Sequence, residues 1–224
     1  MSAELVLLIA GGYLLGAVPM AYLVAKWSRG IDVREYGSGN VGASNLLRLT
    51  SRKTGIPVVI FDLGKGMLMV WAAQVLGLGI AGEAAAGLAV ITGHCWPIFL
   101  RFNGGRGALT ALGIAIILPL INGFLPWEII ISLAFVAAGA FIIHNLPLGV
   151  FVGVTALPLT SWAFDRPLSI TLGFLALFLI IVIRRLTAPR SPLAKSVTQR
   201  QLIINRLLFD RDIRDRETWL KRAP

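Results

Sequence analysis

An all-α integral membrane protein with seven transmembrane helices is the fold class that the sequence predicts, and three observations predict it. Only 14% of the 224 residues are charged, while 56% are hydrophobic and the mean hydropathy is +0.78. A soluble domain carries about 25% charged residues. Apolar segments follow one another along most of the chain, in lengths that suit membrane spans. The net charge of +10 is unevenly placed: six of the 21 Lys and Arg lie between Lys26 and Lys53, and eleven lie from Arg184 onward. With a bilayer as solvent, each span is expected to be a helix that satisfies its own backbone hydrogen bonds.

The first span, Leu5–Ala25, lacks a basic start and is read as a retained helix rather than a cleaved signal. The others run Ile56–Leu78, Glu83–Leu100, Ala108–Leu120, Trp127–Ile143, Leu148–Phe164 and Leu168–Ile183. Several are shorter than the roughly 20 residues a perpendicular helix needs. Pro119 and Pro126 crowd the junction of the fourth and fifth. Short, glycine-interrupted spans are tolerated where they pack on protein or line a cavity.

Charge predicts the orientation. With Lys26–Gly55 in the cytoplasm, 19 of the 21 basic residues fall inside, Arg166 falls outside and Lys65 lies within a span. The reverse orientation would put those 19 outside, against the positive-inside rule. The N-terminus is therefore expected outside and the C-terminus in the cytoplasm. Trp27, Trp96, Trp127 and Trp162 fall near span ends, where interfacial tryptophans belong. Residues 1–186 read as one membrane domain and residues 187–224 as a basic cytoplasmic tail. Within the tail, "QLIINRLLFDRDIRDRETWL" reads as an amphipathic helix on anionic lipid, a solvated tail or a partner-binding segment. Neither of its apolar stripes is clean, since Asn205 interrupts one and Asp210 the other.

Some function classes drop out. No basic patch is interleaved with base-stacking aromatics, so nucleic acid is not an expected partner. The single Cys95 excludes an internal disulfide and is too little for a cysteine-based zinc site. A transporter for an anionic solute would need polar residues through both leaflets. Here the polar segments gather on the cytoplasmic side.

Three constellations carry the chemistry. "GSGNVGASN", Gly37 to Asn45, has three glycines that let amide N–H groups point into a concavity suited to phosphate. Ser38, Asn40, Ser44 and Asn45 add neutral donors, and Arg34 and Arg48 flank the stretch. The competing reading is an ordinary inter-helix loop with Asn and Ser caps. "GHCWPIFLRFNGGRG", Gly93 to Gly107, brings His94 near a membrane boundary and sets Arg101 and Arg106 around the Gly104-Gly105 turn. Two guanidinium groups beside such a turn suit phosphate oxygens. The competing reading is a positive-inside loop with an interfacial histidine. In "FDLGKG", Asp62 and Lys65 lie three apart inside a span. They read either as an i,i+3 ion pair or as a border of the phosphate pocket.

"GSGNVGASN" and "GHCWPIFLRFNGGRGALTALG" closely resemble two signatures of the bacterial acyl-phosphate:glycerol-3-phosphate acyltransferases, the PlsY type, and "DLGKG" fits that family's second helix. The likeness runs from Leu5 to about Leu186. It implies a seven-helix enzyme of the bacterial plasma membrane, active at the cytoplasmic face, with no cofactor and no metal. The implied reaction is transfer of a fatty acyl group from acyl phosphate to the sn-1 hydroxyl of glycerol-3-phosphate, the first step of phospholipid synthesis. An acyl-phosphate-producing enzyme is an implied functional partner. Carried over residue by residue, Ser38, Gly39, Asn40, Gly42 and Asn45 bind the acyl phosphate. Arg48 and Arg106 bind glycerol-3-phosphate, with Lys65, His94, Arg101, Gly104 and Gly105 around it. Ser38, Arg48 and Arg106 are the catalytic candidates.

The chain departs from the family pattern in three places. Arg106 stands where lysine is usual. The turn before the sixth span reads "HNLPLGV" without the common serine. The last span ends "IVIRRLTAPR" in place of a His-x-x-Asn-Ile-x-Arg-Leu motif followed by Gly and Glu. By that alignment Leu179 and Val182 replace its His and Asn. Arg184, His144 and Asn145 are the candidate substitutes, and a different acyl acceptor or weak activity is the alternative expectation.

Overall fold

A computed structural model describes residues 2–220, and every regular element among them is helical. The elements are α1 (Ala3–Ala17), α2 (Met20–Arg29), α3 (Ala43–Leu49), α4 (Arg52–Val75), α5 (Gly79–Cys95), α6 (Ala108–Ile121), α7 (Trp127–Ala137), α8 (Leu146–Ala163), α9 (Leu168–Leu186), α10 (Gln199–Phe209) and α11 (Arg216–Leu220). A 3₁₀ turn, Ile98–Leu100, follows α5, and a π-turn, Ala138–Ile142, extends α7.

Five helical segments are long and apolar enough to cross a membrane: Ala3–Arg29, Arg52–Val75, Gly79–Leu100, Leu146–Ala163 and Leu168–Leu186. Ala108–Ile121 and Trp127–Ile142 are apolar but shorter. At 14 residues, α6 spans about 21 Å against a hydrocarbon core of roughly 30 Å. It packs along α4 and against α5 and α9, and α7 packs along α8.

The first apolar run is not one continuous helix. It breaks at Val18 and Pro19, between α1 and α2. Pro19 has no N–H to donate and pushes Val18 into an extended conformation, with ψ 111°. Met20 N then bonds to Val18 O, and the released Gly16 carbonyl accepts from Lys65 Nζ at 3.2 Å.

Small residues let the central helices touch through their backbones, the usual device where lipid and side chain are equally apolar. A Cβ on Gly16 would lie 2.0 Å from Val90 O, and one on Gly93 would lie 2.1 Å from Tyr13 O, so α1 and α5 cross with no side chain between them. The α4–α6 crossing is built likewise from Gly66 and Gly113. Around these contacts lies a core that includes Val70, Val90, Ile91, Leu118, Phe174 and Leu177.

The two ends of the bundle differ. At one, fully buried Glu128 pairs with Arg166 at 2.5 Å, and Asn122 donates to Glu83 at 2.5 Å. The other end gathers the glycine-rich stretches, the C-terminal end of α9 and the segment after it. That segment is docked: α10 packs on α8 and α9.

Candidate active site

The first glycine-rich stretch is a loop closed from within. Gly37 and Gly39 have φ of 56° and 69°, which glycine adopts without strain. Asn45 lies at its centre, only 1% exposed. Its amide donates to Val33 O at 3.0 Å and Tyr36 O at 3.1 Å, and its oxygen accepts from Ser38 N at 3.0 Å. Every polar arm of Asn45 therefore addresses the loop's own backbone. Asn40 N donates to Ser38 Oγ at 3.4 Å, while Asn40 Oδ1 is buried and finds no hydrogen-bond partner among the described residues. Among those residues, too, the four successive amides of Val41, Gly42, Ala43 and Ser44 donate no hydrogen bond. Unpaired donors and an orphaned amide side chain mark a surface prepared for a polar ligand.

Arg48 follows on α3, exposed and without an ion pair among the described residues. Loss of hydration against the neighbouring surface, and then repulsion from Arg216, hold its guanidinium below its ordinary value. Before the loop, Arg34 donates to Asp32 at 2.6 Å and keeps that carboxyl below the usual carboxylate range. Arg34 is thus tied to Asp32 and Tyr22, while Arg48 is free of any such tie.

The second glycine turn packs directly on the first. A Cβ on Gly105 would sit 2.7 Å from Val41 O and 2.2 Å from His94 Nε2, so only glycine fits. Gly104 is held as tightly, against His94 O and Pro97. The N–H groups of Gly104 and Gly105 return to Cys95 O and His94 O, at 3.2 and 3.1 Å. They cap the end of α5 and do not face outward. Their carbonyls are taken by Arg184, whose Nη2 reaches Gly104 O at 2.7 Å and whose Nε reaches Gly105 O at 3.0 Å. Arg184 Nη2 also donates to Asn103 Oδ1 at 3.1 Å.

Beneath the turns sits a buried polar cluster. Lys65 Nζ lies 2.8 Å from Asp62 Oδ1 and 2.9 Å from His94 Nδ1. An ammonium has no lone pair, so Nδ1 accepts opposite Lys65, while the same Nδ1 lies 3.4 Å from Asp62 Oδ1; Nε2 is the nitrogen beside Gly105. Asp62, His94, Gly104, Gly105 and Val41 all border a small cavity of about 10 Å³, room for roughly one water. The broken α1–α2 junction forms its far wall. Lys65 therefore reaches this site through His94, not as a free cation.

The remaining predicted residues separate clearly. Arg106 is mostly buried, and its Nε lies 2.6 Å from Asp210 Oδ1. Arg101 sits in a left-handed corner with φ 53°, exposed at the rim beside Phe99 and Phe102, with no ion pair among the described residues. His144 is exposed in a turn, and Asn145 caps α8 at Leu148 N while donating to Leu208 O. Of the three candidate substitutes, Arg184 alone touches the glycine turns.

Neither of the two aligned positions on α9, Leu179 and Val182, is fully buried. Leu179 is 47% exposed, whereas Leu177, Ile181 and Arg184 are buried. Of these, Arg184 reaches the glycine turns. Sequence reasoning also missed Asp210 as a member of the site, since nothing in its local pattern points to Arg106.

Residues 6–191 match the family described as glycerol-3-phosphate acyltransferase. The chain belongs to that family. It is 44% identical over 228 residues to glycerol-3-phosphate acyltransferase 4 of Dehalococcoides mccartyi (strain CBDB1), covering 99% of this chain and 95% of the relative. It is 38% identical over 177 residues to the glycerol-3-phosphate acyltransferase of Laribacter hongkongensis (strain HLHK9), covering 77% of this chain and 84% of the relative. Among solved structures it resembles the crystal structure of PlsY (YgiH), an integral membrane glycerol 3-phosphate acyltransferase. The glycerol 3-phosphate form aligns with a TM-score of 0.72 at 28% identity, over 82% of this chain and 88% of that one. The lysophosphatidic acid form aligns with a TM-score of 0.71 at 26% identity, over 97% and 99%. The chain is thus a multi-pass membrane acyltransferase of phospholipid biosynthesis.

Proposed function

We propose that this acyltransferase moves a fatty acyl group from acyl phosphate to the sn-1 hydroxyl of glycerol-3-phosphate, at the cytoplasmic face of the bacterial plasma membrane. The observation that carries the reading is the meeting of the two glycine-rich turns, Val41 against Gly105, at the end of the bundle where unpaired donors and arginines converge. The α1–α2 pair, α4, α5, α6, α7 with its π-turn, α8 and α9 then make seven crossings. The basic residues at the site end favour the cytoplasm for it, with the N-terminus outside. Residues 1–186 form the membrane domain, and the following segment lies inside.

An acyl phosphate is already activated. The acceptor hydroxyl oxygen attacks the acyl carbonyl carbon, and the bond from that carbon to the phosphate oxygen breaks. The hydroxyl proton passes to a substrate phosphate oxygen, and inorganic phosphate leaves. No covalent enzyme intermediate is needed, so the protein's work is to hold two anions together and stabilise the carbonyl oxygen. Such positioning is worth about 7–11 kcal/mol. The open amides of Val41 to Ser44, with Ser38, Gly39, Asn40 and Gly42, take the acyl phosphate head, while Asn45 keeps that loop in shape. Arg48 and Arg106 take the acceptor phosphate, with Arg101 at the rim. Gly104 and Gly105 set the height of the turn against His94, whose ring Lys65 orients. An enzyme that makes acyl phosphate is the implied supplier.

A second reading, another acyl acceptor, is favoured by one observation: α9 has Leu179 and Val182 at the positions aligned with the family's His and Asn, and the arginine it sends to the glycine turns, Arg184, is spent on backbone carbonyls. The purified protein, given palmitoyl phosphate and glycerol-3-phosphate, is expected to form lysophosphatidic acid, and Arg106→Ala is expected to abolish it. Phosphate release without that product, or acylation of a different polyol only, would establish the second reading instead.

A further inference from the structure

Arg106 does not stand alone in its turn. The carboxylate of Asp210, from the segment after α10, lies 2.6 Å from its Nε. The Nε–H is not aimed at that oxygen, and neither atom has a hydrogen bond among the described residues, so the contact is one of charge. A guanidinium has two edges that can grip an oxyanion, one including Nε and one made by the terminal nitrogens. Asp210 Oδ1 sits against Nε but off the line of its N–H, so it pins that side of the group by charge alone. The terminal nitrogens of Arg106 make no hydrogen bond among the described residues and are not sealed from solvent.

The placement of Asp210 is built rather than incidental. Its own N–H closes α10 on Arg206 O at 3.2 Å, with φ 51°. The carbonyls just before it are tied to the bundle, since Arg185 Nη1 donates to Leu207 O at 2.6 Å and Asn145 Nδ2 to Leu208 O at 3.3 Å. Just after it, buried Asp212 accepts from Ser191 N at 2.6 Å and from Arg206 Nε at 2.7 Å. Asp210 is thus anchored from both sides while its own carboxylate is left for Arg106. Its charge also acts on Arg184 and Arg185, so it offsets the repulsion that Arg106 exerts on each of them.

We propose that Asp210 is a positioning residue of the acyltransferase: its charge holds the Nε side of Arg106 so that the terminal nitrogens face the phosphate of the acyl acceptor. The C-terminal segment is then part of the active site. The proposal rests on the reading of Arg106 as a phosphate ligand, and the test separates the two.

The full-length enzyme is assayed in detergent with palmitoyl phosphate and glycerol-3-phosphate, each varied in turn. Asp210→Asn keeps the shape and removes the charge. The expected result is a KM for glycerol-3-phosphate raised about tenfold, an unchanged KM for palmitoyl phosphate and an unchanged melting temperature, with Asp210→Glu intermediate. In an Arg106→Lys background, which keeps the charge and not the fork, Asp210→Asn is expected to raise the KM for glycerol-3-phosphate by less than it does in wild type, as coupled residues require. Wild-type kinetics for Asp210→Asn overturn the proposal. So does a lowered KM for glycerol-3-phosphate, which would make Asp210 a competitor of the phosphate. Equal rises in both KM values with a lowered melting temperature also overturn it, leaving a structural role only. If Asp210→Asn does not fold, Asp210→Glu with wild-type KM values for both substrates overturns it equally. An Arg106→Ala enzyme with wild-type kinetics refutes instead the reading of Arg106 beneath it.

Discussion

Replacing Arg184 by methionine tests what holds the second glycine turn in place. The guanidinium makes three hydrogen bonds there, to Gly104 O at 2.7 Å, Gly105 O at 3.0 Å and Asn103 Oδ1 at 3.1 Å. Side-chain hydrogen bonds in membrane proteins contribute about 0.6–1.7 kcal/mol each, so the set is worth about 2–5 kcal/mol. Against this, a guanidinium only 2% exposed with no carboxylate bonded to it carries a desolvation cost, which methionine removes. The net loss of stability is therefore modest, about 1–3 kcal/mol. The functional loss is expected to be larger. Gly105 sits between His94 and Val41 with no slack, and a shift of about 1 Å in a positioning element costs on the order of 10²-fold in rate. Arg184→Met should lower kcat/KM about a hundredfold while the melting temperature falls by only a few degrees. Arg184→Lys, with donors but no fork, should fall between. Initial rates of lysophosphatidic acid formation, read beside thermal unfolding in the same detergent, decide it. A rate within threefold of wild type would show that the turn keeps its place without Arg184.

Asn45→Ala removes three internal bonds of the first loop and leaves Val33 O and Tyr36 O without their donor; acyl transfer should fall at least a hundredfold, with the largest change in the KM for acyl phosphate. Gly105→Ala should abolish activity, because its Cβ would sit 2.2 Å from His94 Nε2, whereas Gly64→Ala, with nothing within 4 Å, should keep wild-type rates and gain up to about 1 kcal/mol; the paired assays fail the argument if the two behave alike. Glu128→Ala strands Arg166 at the opposite end of the bundle and should cost about 3–5 kcal/mol in thermal unfolding, with the rate per folded molecule unchanged.

The helices were legible because hydropathy is a bulk property. The segment bounds Ala108–Leu120 and Leu168–Ile183 differ from α6 and α9 by only a few residues at their ends. The break at Pro19 was missed because a hydropathy window does not register a missing N–H, although Pro19 itself was in plain view. Glycine turns were legible for the opposite reason: a Cβ on Gly37, already at φ 56°, would lie 2.5 Å from Asn45 Oδ1, and none fits at Gly105. The role of Asn45 was not. An asparagine in a polar loop reads as a ligand donor, and only burial shows its amide turned inward. The docking of α10 was hidden further. Its stripe mixes Leu202 and Leu208 with Asn205, and its attachments are Arg185 of α9 on its Leu207 carbonyl and its own Arg206 on the Leu186 carbonyl of α9.

Those attachments explain why this end of the chain is rich in arginine rather than lysine. Arg184 takes two adjacent carbonyls at once, and Arg185 joins Leu207 O to Pro147 O, so a single side chain clips two elements together. Arg206 binds Asp212 and the Leu186 carbonyl at the end of α9. A lysine ammonium presents a point charge and could not fix two acceptors in one plane. Carbonyls at helix ends carry partial negative charge and lack an intrahelical donor, so they receive a cation well. The same forks that staple the C-terminal segment to α8 and α9 set Asp210 beside Arg106. The last span thus supplies an arginine framework on which the following segment is hung.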